Sequence, residues 1–462
     1  MDRLLDIGGQ RMNAIFVSQS SSIRVFHALS ESLARLVSLD RVGYYVSEDK
    51  YYQSFLAETP GFEDANTAIV KSWEVLRAAE STTADPERLK SWEDRLPPGN
   101  LWDALVSDRR VVLGDRFDAR MDYKPTFAHD EALAYLDQSL LAMEKLFDEV
   151  NPDLVVGFVC STLGEYAAYL VAQDRGVTYL NLRPTRLANY MGLGTTPNEP
   201  SEIVRDRFNE YAGGLRDEWW GIAEEYLART REGDARYEGV VLPSRLTTAQ
   251  ASRTNGKGRS LKRALRLDRV LRDEIKIRKS APKGDHGVPG RILPFLYKNV
   301  FNPRLARRVH KSLRNDYVTL DDMAGKPYAF FPLHMEPEAT LLIYSRAYMN
   351  QIEVVRNIAY NLPVGMQLVV KEHPVALGKR SPSFYQKLLD VMNVKIADPS
   401  TAARPWVEGA TMVANISGSV GLEAAILGRP VLTLGNTPYE LLPSGMVRKV
   451  TELPRLSSEI HS

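Results

Sequence analysis

The stretch from Tyr328 to Gly435 constrains the fold most. In it, four short apolar runs each end in a polar turn: Tyr328-Ala329-Phe330-Phe331 before Pro332 to Glu338, Gln367-Leu368-Val369-Val370 before Lys371-Glu372-His373-Pro374, Met412-Val413-Ala414-Asn415-Ile416 before Ser417-Gly418-Ser419, and Val431-Leu432-Thr433-Leu434 before Gly435-Asn436. Segments of helical period separate them. Continuous apolar runs alternating with helices predict βαβ units on a parallel sheet buried on both faces. Ligands of such sheets sit at the carboxyl ends of the strands. Those ends are where this chain carries histidine, lysine, glutamate, serine and glycine.

The amino-terminal half reads the same way with longer excursions. Asn13-Ala14-Ile15-Phe16-Val17 and Arg41-Val42-Gly43-Tyr44-Tyr45-Val46 are expected strands around a helix from Ile23 to about Leu36, entered through a serine-rich turn, Ser18 to Ser22, that suits a helix cap better than a phosphate site. From about Tyr51 to Arg110 the pattern is helical and carries Trp73, Trp92 and Trp102, which predicts an insertion over the first domain. The chain is expected back in the sheet around Val111 to Arg116, followed by a helix from about Asp130 to Val150, strands at Asp153–Phe158 and Val177–Leu182, and helix from about Ser201 to Leu227 with Trp219-Trp220 in the core. Between those two strands, Ser161-Thr162-Leu163-Gly164-Glu165 turns into a helix. Glu165 near the helix start has two readings: a carboxylate placed for the helix dipole, or a catalytic carboxylate facing a cleft. Arg183 and Arg186, just past the next strand, are candidates for an acceptor or a phosphate, although an arginine there more often forms a surface ion pair.

A chain of 462 residues, 44% hydrophobic and 25% charged, suits a globular protein of two or three domains. Its net charge of +1 gives no global reason to expect an acidic polymer as partner. Charge is nevertheless concentrated locally. Between Arg253 and Lys283 twelve Lys/Arg stand against three Asp/Glu, an excess of +9 that leaves the rest of the chain at 1 − 9 = −8. Leu261, Leu265, Val270, Leu271 and Ile275 at near-helical spacing predict a basic amphipathic helix over 260–279, suited to an anionic membrane surface or to packing between domains. Nucleic acid is not expected, because the cluster lacks aromatic residues and no reading module accompanies it. The single Cys160 excludes an internal disulfide and a cysteine-built metal site. Met1 to Ile7 lacks a signal-peptide run and no window approaches the ~20 apolar residues of a membrane span. The expected location is the cytoplasm, with a peripheral place on the inner membrane face.

The expected division is an amino-terminal Rossmann-like acceptor domain (1–245, with the insertion at about 51–110), a basic linker (246–320) and a carboxyl-terminal Rossmann-like donor domain (321–462). Two such domains facing across a cleft form the GT-B arrangement, an α/β class.

In the second half, Lys371 and His373 end a buried strand that Pro374 stops, and a cation beside an imidazole can take a phosphate oxygen. Ser417-Gly418-Ser419 opens a helix whose free N–H groups and hydroxyls form a second anion site. Glu423, six residues after Ser417, is placed to accept the hydroxyls of a ribose. These residues, together with Phe331-Pro332-Leu333-His334-Met335-Glu336-Pro337-Glu338-Ala339, Asn350-Gln351-Ile352-Glu353 and Leu362-Pro363, resemble the capsule polysaccharide biosynthesis protein family, over about residues 320 to 440. That family includes bacterial β-Kdo transferases that use CMP-Kdo and have a GT-B fold. The resemblance implies that His373 and the Ser417/Ser419 turn hold the donor phosphate, that Glu423 lies by the ribose, and that His334, Glu336 and Glu338 line the donor site. His334 and Glu336 thereby join Glu165 as catalytic candidates, and Lys371 and Gly418 join the donor site. No family motif marks a catalytic carboxylate in the first half, so Glu165 is placed by topology alone.

The expected function is metal-independent transfer of a sugar, CMP-Kdo-like, from a nucleotide donor to a glycan or glycolipid acceptor in cell-surface polysaccharide synthesis, with no cofactor besides the nucleotide-sugar substrate. No Asp-x-Asp metal motif stands at a strand end. A UDP-sugar 2-epimerase-like enzyme is the first alternative, with Asp115 and Glu165 as loose acid/base candidates. A non-catalytic binder of polysaccharide or membrane is the second.

Overall fold

The computed structural model describes residues 11–461 apart from 97–100, 114–120, 122–124, 186, 188–189, 200, 212–218, 234–274, 276–280, 286–295 and 337. Two sheets organise them. The first takes strands β1 (Arg11–Ser18), β2 (Ser38–Val46), β3 (Thr67–Lys71), β4 (Leu154–Gly157), β5 (Thr178–Pro184) and β6 (Met191–Gly194) in the spatial order β3-β2-β1-β4-β5-β6. All its pairings are parallel except the edge strand β6, which runs antiparallel to β5. The second takes β7 (Tyr317–Val318), β8 (Tyr328–Pro332), β9 (Gln367–Lys371), β10 (Val394–Ala397), β11 (Met412–Asn415), β12 (Val431–Thr433) and β13 (Val447–Lys449), all parallel, in the order β13-β12-β11-β8-β9-β10-β7. The protein is thus α/β with two Rossmann-type sheets, a GT-B-like architecture.

The apolar runs become the sheet interiors because helices cover both faces. In β8, Ala329 and Phe331 enter one core with Val354, Ile358 and Leu388, while Tyr328 and Phe330 enter the other with Trp406 and Val407. In the first half the 22-residue helix His129–Val150 seals one face of the sheet through Leu136, Leu140, Met143 and Phe147. Asn151 ends it in the left-handed conformation, φ 47°.

The structure corrects several expectations. The segment 51–110 is not wholly helical, since it contains β3, where the β-branched Thr67, Ile69 and Val70 pair with β2. Val111 belongs to a short helix, Arg109–Leu113, because Asp108 accepts the Arg110 backbone N–H at 2.9 Å and starts a helical turn there. Trp219 and Trp220 are exposed rather than core, and Trp219 stands edge-on to Tyr190 with ring centroids 6.2 Å apart. The basic helix expected at 260–279, apart from the exposed Ile275, lies outside the described residues, as do Arg186 and Asp115. Among the described residues, no helix is long and apolar enough to cross a membrane.

The two halves touch directly. Arg346 pairs with Asp103 at 2.6 Å, the Asn436 amide donates to the Asn198 carbonyl at 2.6 Å, and Arg404 donates to the Thr230 carbonyl at 2.6 Å. Between them lies a cavity of ≈ 210 Å³ lined by Asp103, Tyr166, Asn198, Ser345, Arg346 and Asn436 among others.

Candidate functional site

In the second sheet the chain builds outward in both directions from β8, first through β9 and β10 and then through β11, β12 and β13. The crevice at such a switch point opens beyond the carboxyl ends of β8 and β11. The loops that leave these two strands meet there. His334 is buried with Nε2 3.5 Å from the Ser417 backbone N, and a Cβ on Gly418 would stand 3.1 Å from His334 Cε1, so glycine lets the turn lie against the imidazole. The two serines of the turn divide. Ser417 is buried and donates its hydroxyl to the Thr340 carbonyl at 3.1 Å, whereas Ser419 is exposed at the start of the helix Val420–Ile426 and its hydroxyl makes no capping bond.

His373 lies in the loop after β9. Its Nδ1 accepts the Val375 N–H at 3.2 Å, so the ring proton sits on Nε2. Burial and the neighbouring Lys371 and Lys379 lower its pKa against the pull of Glu338 and Glu372, which keeps the imidazole neutral with a donor N–H to offer. Glu338 is exposed and accepts the Thr340 hydroxyl at 2.8 Å. Lys371 is buried, its pKa lowered by that burial, and its ammonium reaches the Pro399 carbonyl at 3.3 Å beyond β10.

Glu336 and Glu372 serve a different purpose. Arg380, itself buried, donates to both Glu372 oxygens at 2.7 and 2.6 Å, to Glu336 at 3.0 Å and to the His334 carbonyl at 2.6 Å. Tyr385 donates its hydroxyl to Glu372 at 2.8 Å, and Gln351 bonds the His334 backbone on both sides and the Glu336 carboxylate. Two carboxylates, one guanidinium, an amide and a phenol thus fix the His334 loop against the His373 loop. Glu336 is consumed by this network and presents no free carboxylate to the crevice.

Glu423 is half-buried, and burial raises its pKa although Arg404 stands 3.8 Å away. The same Arg404 bonds the Thr230 and Arg231 carbonyls that end the helix Trp220–Glu232, so Glu423 lies where the first half docks on the second. Gly421, two residues earlier, lets this helix lie close to Asn415 and Tyr439: a Cβ there would lie 2.3 Å from Asn415 Nδ2 and 2.4 Å from the Tyr439 hydroxyl. Gly421→Ala is expected to lower stability by about 1–3 kcal/mol through overpacking, checked by urea unfolding.

In the first half, Glu165 closes a capping box with Thr162. Its Oε2 accepts the Ser161 and Thr162 N–H groups at 2.8 and 3.0 Å, and the carboxyl is buried. Asp108 joins it by accepting the Leu163 N–H at 3.2 Å. Arg183 bonds the Asn181 side chain at 3.0 Å and the Thr196 and Glu199 carbonyls, and it stacks over Tyr344 of the second half at 5.5 Å.

The structure therefore brings together His334, Ser417, Gly418 and Ser419 at the switch point, with His373 and Glu338 sharing a field beside them. Arg183 and Glu336 are tied into the protein, Glu165 commits Oε2 to its capping box and leaves its buried Oε1 without a hydrogen-bond partner among the described residues, Lys371 reaches the Pro399 carbonyl, and Glu423 stands 3.8 Å from Arg404. Sequence reasoning missed Arg380, Gln351, Arg404 and Asp108. Asp108 alone had a local signal, a helix cap ahead of an apolar run.

No family model matches the chain. Among curated proteins it is similar to protein FixF of Sinorhizobium fredii (strain NBRC 101917 / NGR234), 25% identical over 158 residues, 33% of this chain and 36% of that protein, so the match spans little more than a third of the relative's length. Among solved structures it is similar to the UDP-GlcNAc 2-epimerase from Methanocaldococcus jannaschii (13% identity, 98% of this chain, 92% of that chain, TM-score 0.26) and to Thermosulfurimonas dismutans KpsC, a beta Kdo 2,7 transferase (14% identity, 69% of this chain, 78% of that chain, TM-score 0.30). The residues of the site, not these likenesses, carry the functional reading.

Proposed function

We propose that the protein is a glycosyltransferase that takes a nucleotide-sugar donor in its carboxyl-terminal half and passes the sugar to a glycan or glycolipid in cell-surface polysaccharide synthesis. The observation that carries this reading is the meeting of the His334 loop with the Ser417–Ser419 turn at the β8/β11 switch point, with the neutral imidazole of His373 at the end of the adjacent strand β9 sharing the field of Glu338. A leaving nucleotide gathers negative charge on its phosphate oxygens as the glycosidic bond breaks. Fixed N–H and O–H donors aimed at those oxygens stabilise that charge without reorganising. In this proposal such donors supply the charge stabilisation that a divalent ion gives elsewhere. The favoured donor is a CMP-Kdo-like sugar, on the strength of the sequence resemblance, and the acceptor enters from the amino-terminal half across the cleft. A peripheral place on an anionic membrane through 260–279 belongs to the same proposal.

His373→Ala is expected to weaken nucleotide binding by about 1.5–3 kcal/mol, the worth of a hydrogen bond to a charged group. Calorimetric titration of wild type and variant with CMP tests it. Equal affinities would remove His373 from the phosphate site.

A further inference from the structure

The helix Asn302–Leu313 and the residue after it read Asn-Pro-Arg-Leu-Ala-Arg-Arg-Val-His-Lys-Ser-Leu-Arg, with five Lys/Arg and no Asp/Glu. Arg304, Arg307, Arg308, Lys311 and Arg314 recur at three- and four-residue steps and are all exposed. They therefore form one stripe, running about 15 Å along the helix at its rise per residue. The opposite side is spoken for: Val309 and Leu313 are fully buried against Tyr385 and Ile396, with Leu305 packed beside them. The cations are fixed on a rigid element.

Among the described residues none of the five pairs with a carboxylate, and the helix carries no acidic residue of its own. Some helical arginines elsewhere do find one a turn away: Arg207 with Glu210 at 2.6 Å, Arg356 with Glu353 at 2.6 Å, Arg404 with Glu408 at 2.7 Å and Arg455 with Glu452 at 3.0 Å. Five like charges left unpaired on one face repel one another, and an external anion relieves that repulsion.

The helix that carries the stripe begins against the loop that follows His373. Gly378, in the loop that leaves His373, has φ +82° and sits so close to the start of the helix that a Cβ would fall 2.2 Å from the Asn302 carbonyl oxygen. The helix then runs back along the edge of the sheet to β7.

We propose that this stripe is a rail for a linear polyanion, namely an acidic glycan whose sugar carboxylates pair with Arg304, Arg307, Arg308 and Lys311 as the chain passes the mouth of the donor site. That the polyanion is a glycan rests on the function proposed above; that the face takes an anion rests on its charges alone. A lipid surface fits less well. The apolar side of the helix is used in packing and cannot enter a bilayer. The charges also form a line one helix wide, ending among the exposed acids Asp316, Asp321 and Asp322, rather than a plane.

The test is binding of a short polygalacturonate fragment, and separately of phosphatidylglycerol/phosphatidylcholine vesicles, to the full chain at low salt. The partner of the wild type in each assay is a variant with Arg304, Arg307, Arg308 and Lys311 changed to Gln. The wild type is expected to bind polygalacturonate, and the variant to bind it roughly tenfold or more weakly, with the CMP response of both proteins the same. Equal binding by the two overturns the rail, as does a wild type that ignores polygalacturonate. Vesicle binding without polygalacturonate binding also overturns it and makes the face a lipid contact. If the variant does not fold, a salt titration of the wild type decides, since binding that salt leaves unchanged is not made by this exposed face. A wild type that binds polygalacturonate but no nucleotide would leave the rail standing and remove the donor site.

Discussion

Replacing Arg380 with methionine is expected to cost about 3–5 kcal/mol of stability, because it leaves two buried carboxylates, Glu336 and Glu372, without their cation. Arg380 is 3% exposed, and its guanidinium also holds the His334 carbonyl. The loss should therefore appear in two readouts. Urea unfolding should shift to lower concentration, and nucleotide binding should weaken along with it, because the loops bearing His334 and His373 are joined through this one side chain. The triple change of Arg380, Glu336 and Glu372 to Met, Gln and Gln removes the uncompensated charge and should recover much of the stability without recovering binding. Recovery of both would mean that the network stabilises the domain and does not position the site. Retained stability in Arg380→Met alone would contradict the buried pairing itself.

Glu165→Gln is expected to stabilise the protein by roughly 3–5 kcal/mol near pH 8 and to change little near pH 4, since one unit of pKa shift is worth about 1.4 kcal/mol. Burial raises the Glu165 pKa from its ordinary 4.5 to about 8, against the bonds from the Ser161 and Thr162 N–H groups. The folded protein therefore keeps this proton through a range in which the unfolded chain has lost it. Stability from the neutral carboxyl is fully present below the unfolded pKa and declines as pH rises from there toward about 8. Glutamine keeps an acceptor oxygen for the two N–H groups and does not titrate, so the variant's unfolding free energy should lose this downward slope. Parallel pH profiles for the two proteins would show that Glu165 is ionised in its capping box. The same variant bears on catalysis: sugar transfer retained in Glu165→Gln would leave the residue a helix cap and nothing more.

The parts of the fold that were readable in the sequence are those buried on both faces. The runs that became β8, β9, β11 and β12 are continuous and apolar because helices press on either side. β10 and β13 escaped because Val394-Lys395-Ile396-Ala397 alternates and Val447-Arg448-Lys449 is charged, as suits a shorter strand near the edge. The pair Trp219-Trp220 misled, since aromatic content alone does not say which side of a helix finds a core.

The site followed the same division. His373, Ser417, Gly418 and Ser419 could be placed just beyond strand ends because those ends can be located from the runs before them. Their chemistry was not equally legible: Ser417 and Ser419 look alike in sequence, yet one is tied to Thr340 and the other is open. Arg380 had no local signature, because its partners Glu372 and Glu336 lie 8 and 44 residues away and only the folded sheet brings them together. Nothing in the sequence showed that Arg404, which also bonds the docking helix, stands 3.8 Å from Glu423.

The most direct test of the donor site is a thermal-shift titration of wild type and His373→Ala with CMP, UDP, GDP and ADP, since a ligand that binds only the folded protein raises its melting temperature. CMP is expected to raise the melting temperature of the wild type, the other three nucleotides to raise it less, and His373→Ala to lose the response to CMP. A wild type indifferent to all four nucleotides, or a variant that answers CMP as the wild type does, would contradict the donor site.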